Sequence, residues 1–252
     1  VAAGTFTDAY TNDNTVSNTY SWTQDDTGPT MTITSATVAS GSSTNTGAVV
    51  LVYTSNEVTI DFALVDITVT ECVNADFTTV NGGLIYGSTC TEDSNGQTPT
   101  VLVAVNKFND ATGNDNQVSN TYTWTYDTAK PSMVITSATI ASGGTTATAA
   151  VALVFTSNEA TSNFDVDDIT EAGCTLANFA ADGGSTTVYE ATCTVSADGA
   201  ASVLVAADKY TDTAGNDNTV SNTFDWTYDG TGPTMTITSA TVASGSSTNT
   251  GG

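Results

Sequence analysis

Carboxylates are the abundant reactive groups of this chain, and they recur in register. Asp25, Glu57, Asp110 and Asp115 are followed 102 residues later by Asp127, Glu159, Asp212 and Asp217, and Asn114 is followed by Asn216. Asp26 stands beside Asp25, and Thr128 takes its place in the next copy. Grouped carboxylates with no Lys or Arg among them repel one another, and a divalent cation relieves that repulsion; Ca2+ accepts six to eight hard oxygen ligands of these kinds. The candidate ligands are therefore Asp25, Asp26, Glu57, Asp110, Asn114 and Asp115 in one place and Asp127, Glu159, Asp212, Asn216 and Asp217 in the next. The bland reading is ordinary turn chemistry, in which Asp-x-x-Gly-Asn at 212–216 only builds a tight turn. Asp66 and the group Asp165, Asp167 and Asp168 read as loop hydrogen-bonders instead of ligands.

Other chemistry has little to work with. The chain has no His and no Arg, and its only Lys residues are Lys107, Lys130 and Lys209, so a Ser triad or a phosphoryl-transfer site cannot be assembled. Paired carboxylates could serve a glycosidase, but every candidate residue recurs in each copy, and an active site need be present only once. An enzyme is not expected. With 27 acidic residues against 3 basic ones the surface repels nucleic acid and anionic membranes and attracts cations. It also offers almost no sites to a trypsin-like protease; the plainer reading is that acidity keeps a long surface protein in solution. No apolar run reaches membrane-spanning length.

Cys72 with Cys90 and Cys174 with Cys193 fall at equivalent places, 18 and 19 residues apart. One disulfide within each copy is the economical pairing. Each would contribute roughly 3 kcal/mol and would persist only in oxidising surroundings. Without CxxC spacing or His, zinc and thiol-redox readings are weak. Not one Asn heads an Asn-x-Ser/Thr sequon despite the abundance of Ser and Thr, so N-glycans are excluded or the host does not attach them.

The same period spaces Trp22, Trp124 and Trp226, Pro29, Pro131 and Pro233, and Met31, Met133 and Met235, the mark of a tandem array. Residues 231–251 repeat 27–47. The expected division is 1–26 as the C-terminal strands of a preceding repeat, 27–128 and 129–230 as whole repeats, and 231–252 as the first strand of a following one. The chain thus reads as a slice of a longer polymer. Within 27–128, alternation predicts strands over about 31–40, 49–53 and 58–68, the third with Ile60, Phe62 and Leu64 on one face. Weaker strands follow at 71–79 and 84–91, then a polar turn over 92–98 and a sixth strand through Val101, Val103 and Val105. The last strand is the clearest: in 121–126 every aromatic points one way and every Thr the other, which makes Trp124 a core anchor. Seven strands in about 100 residues predict an all-β, immunoglobulin-like sandwich. In that fold the linker, the loop after the second strand and the loop before the last strand return to one pole, where the carboxylates would converge.

Thr54-Ser55-Asn56-Glu57, Phe62 through Asp66-Ile67-Thr68, Asp212-x-x-Gly215-Asn216, and Trp226-Thr227-Tyr228-Asp229 with Pro233 resemble the bacterial Ig-like repeats of giant cell-surface adhesins. Similar repeats occur in long extracellular proteins of marine microbes and algae. The first copy departs from the Gly-Asn motif with Thr11-Asn12. The resemblance implies an extended extracellular stalk or filament, often with calcium at domain junctions. Expected partners are neighbouring repeats, other chains of a fibre, or surface glycans, although the variable loops at 81–85 and 182–188 expose no aromatic cluster beyond Tyr86 or Tyr189.

Overall fold

The computed structural model describes residues 1–247 and 249. Residues 27–128 form β1 (Met31–Thr34), β2 (Ser43–Thr44), β3 (Ala48–Ser55), β4 (Ile67–Thr70), β5 (Val73–Asn81), β6 (Ile85–Thr91), β7 (Thr100–Val103), β8 (Tyr122–Thr123) and β9 (Thr125–Tyr126). The next copy forms β10 (Met133–Thr136), β11 (Gly144–Thr146), β12 (Ala150–Ser157), β13 (Ile169–Ala172), β14 (Thr175–Ala181), β15 (Val188–Thr194), β16 (Gly199–Val205) and β17 (Phe224–Tyr228). The fold is all-β and Ig-like, as the alternation predicts.

By compactness the chain divides into two units whose limits cut across the repeats. The first comprises Val1–Gly41, Ala48–Asp93 and Thr98–Trp124; the second comprises Ser42–Gly47, Ser94–Gln97 and Thr125–Gly252. In the first, the sheet β1-β3-β6-β5 and the sheet β4-β7-β8 enclose Ile33, Leu51, Tyr53, Val103, Phe108 and Trp124. Alternating burial along β3 carries Val49, Leu51 and Tyr53 inward, the pattern of a strand with one covered face. In the second, β10-β12-β15-β14 and β11-β17-β16-β13 enclose Phe155, Val203, Tyr210 and Trp226, and β11 runs parallel to β17. Residues Ser43–Thr44 and Thr125–Tyr126 of the second unit make the same parallel pairing.

Both disulfides close within their own repeat, Cys72 to Cys90 and Cys174 to Cys193, each with Cα atoms 5.7 Å apart. Trp124 is 1% exposed, the core anchor that the alternation predicts. Four expectations need correction. The first strand stops at Thr34, and the segment 58–66 is not a strand: Ile60 is exposed and Leu64–Asp66 is a 3-10 turn before β4. Its alternation arises because Phe62 plugs the core, 4.9 Å from the rings of both Tyr86 and Phe108. Glu92, which the sequence places in a polar turn, is buried. Tyr86 and Tyr189 are also buried, so neither is free to stack on a sugar.

Residues 1–26 carry no named strand, and Trp22 is 77% exposed where Trp124 is covered. Likewise Met235 and Ile237 are exposed although their counterparts Met31 and Ile33 are core residues. The remainder of the expected strand at 231–252, residues 248 and 250–252, lies outside the described residues.

Candidate metal-binding site

The carboxylate loop is built by asparagines. Asn116, 1% exposed, accepts from the backbone N–H groups of Lys107 and Phe108 at 2.7 and 3.1 Å and donates to the carbonyls of Ala104 and Gln117. Asn218 repeats all four bonds one period later. Asn14 makes the accepting pair again, with Thr5 and Phe6, although no sandwich surrounds it. The loop is therefore specified locally. A buried amide with every donor and acceptor satisfied is what fixes it. These asparagines are functional supports that the sequence reading passed over, although their place in Asn-Asp-Asn triplets at 114–116 and 216–218 is a visible signal.

On this frame sits Asp110, 3% exposed. Its Oδ1 accepts from the Thr112 N–H, the Thr112 hydroxyl and the Asn114 N–H at 2.8 to 2.9 Å, and its Oδ2 accepts from Asn114 Nδ2 at 2.9 Å. Burial works against its charge, but the hydrogen bonds from Asn114 and Thr112 prevail and hold its pKa at about 2. The carboxylate is thus locked in its anionic form. Glu57, just beyond β3, and Asp25, in the segment before β1, each bring an oxygen so that ligand atoms of Asp25, Glu57 and Asp110 all lie within 4.8 Å of one another. Desolvation, and then the charges of Asp25 and Asp110, push the pKa of Glu57 up.

The second unit repeats the arrangement with Asp127, Glu159 and Asp212. Asp212 Oδ1 accepts from the N–H groups of Ala214, Gly215 and Asn216 at 2.8 to 2.9 Å, and Oδ2 accepts from Asn216 Nδ2 at 2.9 Å. Desolvation, then Asp127 and Asp212, raises Glu159 as well.

Six of the eleven residues singled out from sequence are therefore brought into two groups of three. Asn114 and Asn216 enter with nitrogen, not oxygen: each donates Nδ2 to its aspartate and to the carbonyl of Asp25 or Asp127. Their nitrogens thereby clamp the carboxylates. Asp115 accepts from Asn109 Nδ2 outside the group, and Asp26 and Asp217, both exposed, are not among the grouped carboxylates. Asp66, Asp165 and Asp168 accept from nearby backbone N–H groups at the 3-10 turns, as expected of loop hydrogen-bonders. Three carboxylates from separate segments, one held anionic, form an oxygen donor set suited to a hard divalent cation. The surface depression at Gly143, Ala172, Asp225 and Thr227 lies apart from these groups.

Residues 127–228 match the family model of the bacterial Ig-like domain. No curated protein matches the chain by sequence. Among solved structures it is similar to Yersinia pseudotuberculosis InvD, with 16% identity over 79% of this chain and 57% of that one and a TM-score of 0.38. It is similar also to the D00-D0 domain of intimin, with 11% identity over 78% and 98% and a TM-score of 0.36. Invasin, a bacterial integrin-binding protein, gives 14% identity over 69% and 36% and a TM-score of 0.37. The chain spans 57% of the length of InvD and 36% of that of invasin. No helix among the described residues is long and apolar enough to cross a membrane. Residues 127–228 thus belong to the bacterial Ig-like domain family, and the register of 102 residues repeats the motifs of that stretch in the copy before it.

Proposed function

We propose that this chain is part of an extracellular surface array, a stalk, fibre or appendage, whose repeats take up calcium at the carboxylate groups and are stiffened by it. The observation that carries the reading is the recurrence of the same Asp, Glu, Asp group at the same place in both copies of the fold. A group at a single place could be accidental, whereas one repeated with its Asn clamp is part of the repeat itself. Two disulfides within their own sandwiches suit an oxidising, extracellular setting, and a net charge of −24 suits a cation-binding surface. On this reading the partners are neighbouring repeats and other chains of a fibre, and the array spaces something away from a cell without catalysing a reaction.

Calcium bound between Asp127 on the linker and the loops of Glu159 and Asp212 would join the chain entering a repeat to the repeat itself. Small-angle scattering of the 252-residue chain with calcium and with chelator tests this. A longer maximum dimension with calcium is expected, and Asp110→Asn with Asp212→Asn should abolish the difference. Identical dimensions in both conditions would leave the acidic loops as a solubilising surface.

A further inference from the structure

The turn at Thr44–Gly47 makes contacts that its own repeat does not require. Inside the second compact unit, the Asn45 N–H donates to the carbonyl of Ala214 at 3.0 Å and Asn45 Nδ2 donates to that of Gly215 at 2.8 Å. Both acceptors lie in the Asp-x-x-Gly-Asn loop that carries Asp212. The adjoining carbonyl of Thr44 accepts from the Asp127 N–H at 3.0 Å, and Asn216 Nδ2 closes the circuit on the Asp127 carbonyl at 2.8 Å. One turn thus holds both aspartates of the second carboxylate group. Ala214 is buried here, whereas its counterpart Thr112 is exposed.

The other copy of the turn shares its local hydrogen bonds, although these 252 residues hold no Asp-x-x-Gly-Asn loop for it to face. Thr44 Oγ1 accepts from the Thr46 N–H as Thr146 Oγ1 accepts from the Thr148 N–H, and the Thr146 carbonyl accepts from the Asp229 N–H as that of Thr44 does from Asp127. The two turns therefore share their internal geometry. They differ in side chain at the outward position, where Asn45 is replaced by Ala147, which has no amide to donate. Asn returns at position 249.

We propose that the Thr44–Asn45 turn is a receptor for the Asp-x-x-Gly-Asn loop of the following repeat, and that the Asn45 side chain strengthens that engagement. Asn45 is then a positioning residue for Asp127 and Asp212.

The test uses the whole chain in solution by NMR. Scalar coupling across the hydrogen bond between the Asn45 amide nitrogen and the Ala214 carbonyl carbon is expected. Asn45→Ala should erase the side-chain contribution and shift the Gly215 and Asn216 resonances while leaving those of Gly113 and Asn114 in place. Absence of that coupling, with the Gly215 and Asn216 resonances unmoved in Asn45→Ala, would overturn the proposal. A second arm rests on the calcium reading: Asn45→Ala should weaken calcium binding severalfold at the Asp127 group and leave the Asp25 group unchanged. If neither group binds calcium, the calcium reading fails while the coupling and the resonance shifts still judge the turn as a receptor. If calcium binds and the variant leaves both affinities unaltered, Asn45 does not position the aspartates.

Discussion

The Trp124 indole Nε1 donates its hydrogen bond to Glu92 inside the first unit, and the second repeat dispenses with that pair. Val195, two residues after Cys193 as Glu92 is two after Cys90, takes the place of the acid, and Trp226 Nε1 is left without a partner. The first copy has therefore kept a buried carboxyl whose second oxygen, Oε2, is itself unpartnered. A buried acid with half its bonding unmet adds little net stability over an apolar residue of suitable shape.

Glu92→Val tests that relationship with the residue the protein already uses elsewhere. Burial raises the Glu92 pKa above 4.5, and the Trp124 bond only partly opposes it. A raised folded-state value means that the group's stabilising contribution is complete below 4.5 and is lost as pH rises through the folded pKa. The wild type should therefore lose stability relative to Glu92→Val as pH rises from about 4.5 towards neutrality. Thermal melts of both proteins across that range, with chelator present, check the sign. Curves that stay parallel would mean that Glu92 titrates in the folded state as it does in the unfolded chain.

The tryptophans make a second prediction by contrast. Trp124→Ala and Trp226→Ala each empty a core and should cost roughly 3 to 5 kcal/mol. Trp22, 77% exposed in this chain, should be replaceable by Ala with a melting curve unchanged. A large loss at Trp22 would show that residues 1–26 are packed in solution.

Reduction of the disulfides should be felt separately in each repeat. Cys72 and Cys90 flank one antiparallel hairpin, as do Cys174 and Cys193. Opening either bridge should lower stability by roughly 3 kcal/mol without changing the fold, since loops of this length contribute about that much through the unfolded chain. Cys72→Ala with Cys90→Ala should lower the first melting transition and leave that of the second repeat where it was.

Much of this was legible because the period doubles every signal. The paired cysteines, the inward Trp124 and the acidic residues at matching positions follow from register alone. The misreading of the segment 58–66 arises because side-chain alternation records burial, not backbone pairing. Phe62 is buried from an irregular segment because an aromatic cluster closes over it, and the pattern there imitates a strand. Glu92 sits among polar residues, so nothing local marks it as interior. Asn114 has the composition of a ligand and the geometry of a clamp, and which end of an amide faces a carboxylate is settled by the carboxylate's need for a donor.

The sharpest prediction concerns Glu57, because its charge should act in opposite directions with and without metal. Asp110, with its pKa held at about 2, keeps its charge through mildly acidic pH. Glu57, raised by desolvation and by the charges of Asp25 and Asp110, takes up a proton before Asp110 as pH falls. By the same linkage, its stabilising contribution is present below 4.5 and lost as pH rises through its folded pKa, so at neutral pH the metal-free carboxylate works against folding. Glu57→Gln keeps the size and removes the charge. In chelator the variant should melt higher than the wild type at neutral pH, with the gap closing towards pH 4.5. In calcium the order should reverse, since a ligand present at a hundred times its Kd adds about 2.7 kcal/mol to the folded state and the variant forfeits part of that. Glu159→Gln should do the same in the second repeat. Melting curves in the two conditions read both signs at once, and a variant that melts higher in calcium as well as in chelator would remove the metal from the account of these loops.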